Sequence, residues 1–158
     1  MVETYLQILI ESLEKKSKVL DQIMETDERQ SQIAAHQPFD MEAFDATMDE
    51  KSILIEELNK LDDGFTQTFS MIQKELQRDK TTYQEQIRIL QDLIRETVDK
   101  GVTIEVQEKR NKAAMEVALR AKRQEIKQWK ISKNAANKYY QSMSNINTVD
   151  PQLMDRKK

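Results

Sequence analysis

The chain has no cysteine, two glycines and two prolines in 158 residues, and only 6% aromatic residues. Without cysteine, disulfides and thiolate metal sites are excluded, and a reducing compartment is the natural setting. So little glycine and proline leaves almost nothing with which to build turns. Runs rich in Val, Thr, Tyr and Phe bounded by turn residues, the signature of strands, are also missing. No stretch approaches the ~18 consecutive apolar residues of a membrane span. The opening MVETYLQILIESLEKK has no basic segment ahead of its short apolar run, so it is not expected to act as a signal peptide.

What remains is a helical composition. Charged residues make up 34% of the chain and hydrophobic ones 38%, with Glu, Gln, Lys, Leu, Ile, Met and Ala abundant. Apolar residues recur at alternating steps of three and four, the spacing of a helix that packs on another helix. The first series is Val2, Leu6, Leu9, Leu13, Lys16, Leu20 and Ile23, widened by Tyr5, Ile8, Ile10, Val19 and Met24. It fades through Ile33 and Ala34 and stops at HQPFD, where Pro38 disfavours helical geometry in Gln37 and Asp40 is a good N-cap.

The second series runs Phe44, Met48, Lys51, Ile55, Leu58, Asp62, Phe65, Phe69, Ile72, Leu76. Gly64 lies inside it and reads as a point of close packing or a soft bend. A weaker boundary follows, where Thr82 and Glu85 have capping-box spacing. The seam passes from Leu76 to Tyr83 almost unbroken, so a continuous helix is an alternative there.

The third series is Tyr83, Ile87, Leu90, Ile94, Thr97, Gly101, Ile104, Glu108, Asn111, Met115. It continues one step shifted as Leu119, Lys122, Ile126, Trp129, Lys133, Ala136, Tyr140, Met143. These three seams predict an all-α, elongated antiparallel bundle of about three long helices, coiled-coil-like. The expected organisation is a body over 2–112, a basic helical arm over 113–145 and a flexible tail over 146–158.

Charge supports that division. Residues 109–158 carry thirteen Lys and Arg against four Asp and Glu, a net of +9, whereas residues 1–108 carry twelve against 24, a net of −12. Opposite signs on two sections suggest a folded body and a binding arm. Met115, Leu119, Ile126, Trp129, Tyr140 and Met143 form one large, adaptable face on that arm, with basic neighbours to steer an acidic partner.

No catalytic constellation stands out: the single histidine, His36, precedes Pro38 with no motif around it, and no glycine-rich phosphate loop exists. The expectation is a non-enzyme without cofactor or metal. A basic-armed nucleic-acid binder, with Trp129 available for stacking, or a generic coiled-coil adaptor are the alternatives.

FDATMDEKSILIEELNKLDDGF in the second helix and IEVQEKRNK in the third resemble the FlgN-type flagellar export chaperones, and FliT-type flagellar chaperones share part of the pattern. The closing TVDPQLMDRKK is similar to the tails of such proteins in Gram-positive relatives. The resemblance implies a cytoplasmic helical protein that holds hook-associated (hook–filament junction) proteins before type III export, engaging the client through its C-terminal helix. On that view Glu108 and Asn111, polar residues on an apolar seam, fix helix register where the bundle ends and the arm begins.

Overall fold

The computed structural model describes residues 1–123, 139 and 141. Three long helices account for most of them: α1 (Val2–Ala35), α2 (Met41–Arg78) and α3 (Gln84–Lys122). At 34 to 39 residues each, they are about 50–60 Å long. The first residues of α1, the last of α2 and the first of α3 share one apolar cluster, so the helices run up, down and up. α1 is the central element and packs closely along both α2 and α3, whose backbones approach one another much less. The all-α bundle expected from the three seams is what the chain forms.

The 3–4 spacing decides which side chains are buried. Along α2 every seam residue from Phe44 to Leu76 is buried except Asp62, which is half-buried. On α1 the seam does not fade after Ile23. It continues in the same steps through Asp27, Gln30 and Ala34, all buried. On α3 burial follows Leu90, Ile94, Thr97, Gly101, Ile104, Glu108, Asn111 and Met115, then Ala118, with no change of step. Leu119, one position on, is only half-buried.

The turns follow from local chemistry. Asp40 caps α2, its Oδ1 accepting from the amide of Ala43 at 3.0 Å. Phe39, just before the cap, meets Phe44 with ring centroids 5.6 Å apart, a hydrophobic staple that sets the angle at which α2 begins. At the other end the chain reverses over residues 79–83, so α2 and α3 are separate helices. The N-terminal residue of α3 is capped at Tyr83, with no side-chain hydrogen bond, and not at Thr82. Instead, the Thr82 amide donates to Asp79 Oδ1 at 3.4 Å, which shapes the turn itself.

Two apolar clusters fill the bundle. One joins Val2–Leu13 to Phe65–Leu76, Leu90 and Ile94; the other joins Val19–Ile23, Phe39–Leu58, Ile104, Met115 and Ala118. Between them lies a polar waist. Lys16 Nζ is 2.7 Å from Asp62 Oδ1. Lys100 Nζ donates to Ser17 Oγ at 2.7 Å and pairs with Asp21 at 2.8 Å.

Gly64 corrects one expectation. It is exposed in mid-helix, and a Cβ added there would meet nothing within 4 Å, so neither close packing nor a bend requires it. Gly64→Ala should therefore raise stability by about 1 kcal/mol, the helix-propensity difference alone, in denaturant unfolding. Leu13→Ala, which truncates a side chain 5% exposed, should lower it by about 2–5 kcal/mol in the same assay.

Candidate functional site: a buried charge cluster joining all three helices

The most unusual chemistry of the molecule lies inside the second apolar cluster. Continuing each seam places Asp27 and Gln30 of α1, Lys51 of α2, and Glu108 and Asn111 of α3 at the same level of the bundle, all 4% exposed or less. Lys51 Nζ donates to Asp27 Oδ1 at 2.5 Å, to Gln30 Oε1 at 2.9 Å and to Glu108 Oε1. Its three protons thus have three acceptors on two helices, and the ammonium is fully used.

The surrounding amides complete the shell. Asn111 Nδ2 donates to the Asp27 carbonyl at 3.0 Å and to Gln30 Oε1 at 3.1 Å. Gln107 Nε2 donates to Asn111 Oδ1 at 2.8 Å. Gln30 Nε2 donates to Thr47 Oγ1 at 3.2 Å, and Thr47 donates in turn to the Phe44 carbonyl at 2.5 Å. From the C-terminal segment, Tyr139 closes the cluster. Its ring lies over Lys51 Nζ at 4.5 Å from the centroid, and its hydroxyl donates to Glu108 Oε1 at 3.3 Å.

The charges do not balance. Two carboxyl groups share one ammonium, and one oxygen of each, Asp27 Oδ2 and Glu108 Oε2, has no donor. A proton held on Glu108 resolves both deficits, because it removes the surplus negative charge and supplies a donor. Burial is the main force that pushes the Glu108 carboxyl up, to about 9, assisted by its hydrogen bond with Asp27 and opposed by Lys51. At neutral pH Glu108 therefore keeps its proton.

The residues expected to mark the partner face separate in the structure. Met115 is 3% exposed and belongs to the core with Val19, Leu20 and Phe44, because the seam runs on unshifted from Asn111. Leu119 packs half-buried against that core. Ile126, Trp129, Tyr140 and Met143 lie outside the described residues. Glu108 and Asn111 do not stand at the end of the bundle: apolar core lies on both sides of them, at Ile104 and at Met115. The bundle reaches at least Lys122, whose Nζ donates to the Phe39 carbonyl and ties the end of α3 to the α1–α2 turn.

Lys51 was on its seam in the sequence, yet as a lone cation it carried no meaning until Asp27 and Gln30 joined α1. Tyr139 had no signal, since Tyr140 next to it fits the shifted periodicity better. Among the described residues no group of His, Cys, Asp and Glu could hold a metal ion. No described helix is long and apolar enough to cross a membrane. His36 sits at an open hollow of about 430 Å³ beside Arg29 and Asp40. There His36 Nδ1 lies 3.2 Å from the Pro38 carbonyl, while Arg29 is held by Glu50 at 2.5 Å. Comparison of the chain with protein-family models, with curated proteins and with solved structures gives no match.

The held proton has a definite sign. Glu108 binds it more tightly folded than unfolded, so its contribution to stability is complete below about pH 4.5 and is lost as pH rises towards about 9. Thermal unfolding should show Tm falling across the neutral-to-alkaline range, and Glu108→Gln should flatten that slope. Lys51→Met leaves Asp27 buried without its counter-ion and should cost about 3–5 kcal/mol in denaturant unfolding.

Proposed function

We propose that this protein is a non-enzymatic export chaperone of the flagellar type III pathway, acting in the cytoplasm and holding hook-associated proteins before secretion. One observation supports the reading above others. The two stretches that carry the resemblance, 44–65 in α2 and 104–112 in α3, meet inside the bundle through Lys51 and Glu108. Each stretch thus contributes a buried charged residue to the same cluster, although many of the other residues in both stretches are exposed.

The client face on this reading is the C-terminal basic stretch carrying Ile126, Trp129, Tyr140 and Met143, with half-buried Leu119 at its root. Met115 contributes to the body that supports it. Nucleic acid remains the weaker fit, because the −12 section of the chain would repel the same phosphate backbone.

Co-expression with each hook–filament junction protein, followed by co-purification of the intact chain, tests the reading. A one-to-one complex is expected with at least one of them. Trp129→Ala should weaken that complex by about 30-fold, a hot-spot loss of ~2 kcal/mol, with Tm nearly unchanged. Failure to form a complex with any junction protein, or tight sequence-selective nucleic-acid binding, would overturn it.

A further inference from the structure

Among the described residues, Tyr139 is the one member of the buried cluster that no long helix of the bundle supplies. It comes from the C-terminal segment, is 6% exposed and packs in the same apolar cluster as Phe44, Ile104 and Met115. Its ring lies over Lys51 Nζ and its hydroxyl donates to Glu108 Oε1, so one side chain covers both partners of an ion pair.

The tether behind it is long. Arg123 follows the last residue of α3, and Glu108 lies fifteen residues before it, about 22 Å along the helix. The fifteen residues 124–138 span up to ~50 Å when extended. Tyr139 can therefore leave the cluster without drawing α3 with it.

The hydrogen bonds fix where the Glu108 proton sits. Oε1 already accepts from Lys51 and from Tyr139, which uses both of its lone pairs. Oε2 has no donor, and neither has Asp27 Oδ2. A proton on Oε2, donated to Asp27, satisfies both oxygens. Burial first, and then this hydrogen bond with Asp27, hold the Glu108 carboxyl up at about 9. The groups that face it are Asp27 from α1, Lys51 from α2 and Tyr139 from the C-terminal segment. Its charged neighbours on α3 itself, Glu105, Lys109 and Lys112, are exposed or half-buried.

Loss of that proton leaves two buried oxygens without a donor and adds a negative charge to a dry interior. The cost of burying such a charge exceeds what one aromatic contact and one neutral hydrogen bond contribute, so water must enter. The three helices are clamped above and below the cluster by apolar contacts, at Ile104 and Met115 on α3 and at Met48 and Ile55 on α2. Tyr139 has no such clamp from a bundle helix of its own.

We propose that Tyr139 is a proton-controlled latch, holding the C-terminal segment to the bundle while Glu108 is protonated and letting it go when the proton is lost. The closed form binds the proton more tightly, so closure is favoured at low pH. The balance moves towards the open form as pH rises to about 9. The latch involves no partner and stands independently of the chaperone reading.

NMR of the full chain with isotope-labelled tyrosine rings tests it. The Tyr139 signals are assigned by their loss in Tyr139→Phe, and access to water is read from relaxation by a soluble nitroxide. Between about pH 6 and about pH 9 the relaxation enhancement of Tyr139 should rise by about tenfold or more. The methyls of Ile104, 1% exposed, should stay protected, with circular dichroism unchanged. Glu108→Gln keeps an acceptor for Lys51 and Tyr139 and offers an amide donor to Asp27, so there Tyr139 should stay protected throughout. The proposal is overturned if wild-type Tyr139 stays protected at about pH 9, or if Ile104 becomes accessible together with it, the bundle then opening as a whole. It is overturned equally if Glu108→Gln shows the same rise, which places the titrating group elsewhere. The wild-type titration decides the first two outcomes whether or not the variant folds.

Discussion

One ammonium shared between two carboxyl groups holds the second half of this bundle in place. Lys51 is removed completely from water, a loss that costs several kcal/mol unless its partners are well placed. They come from both neighbouring helices: Asp27 and Gln30 on α1, Glu108 on α3. None of the three helices can move relative to the others without exposing an uncompensated charge. The apolar residues around the cluster supply most of the cohesion, but they would tolerate small shifts that the cluster does not.

This constraint answers a difficulty built into the helices themselves. A seam repeating every 3.5 residues looks nearly the same after a slide of seven residues, so apolar contacts alone define alignment poorly. A slide by one heptad would set Lys51 among Leu20, Ile23 or Ile104 and leave Asp27 and Glu108 facing hydrocarbon. Asn111 reinforces the same alignment by binding the backbone carbonyl of Asp27 as well as the side chain of Gln30. The extra proton on Glu108 cancels the surplus negative charge of the trio, so that it persists in a dry interior, and it makes alignment depend on protonation.

The helices, their order and nearly all of their buried positions were legible in the primary structure, because burial here follows a simple periodicity. Glu108 and Asn111 were conspicuous for being polar on an apolar seam. Asp27 and Gln30 were not, since a polar residue near a helix end reads as the fading of the stripe. Only the approach of Lys51 from another helix gives them a role, and contacts separated by 21 to 57 residues leave no local trace. Met115 was misplaced for a related reason. The appearance of Leu119 suggested a change of step, whereas Ala118 continues the seam with a side chain too small to draw notice. The third helix accordingly packs on past residue 112, and Lys122, read as a member of the shifted seam, holds the α1–α2 turn.

The waist at Lys16, Ser17, Asp62, Thr97 and Lys100 gives the rod a property that neither half has by itself. Apolar contact is interrupted there while all three helices pass through unbroken. The side-chain contacts that carry the rod across that level are polar, and water can replace each of them as it cannot replace interlocked hydrocarbon. The two halves are thus joined by continuous helix backbone and exchangeable ion pairs rather than by one shared dry interior.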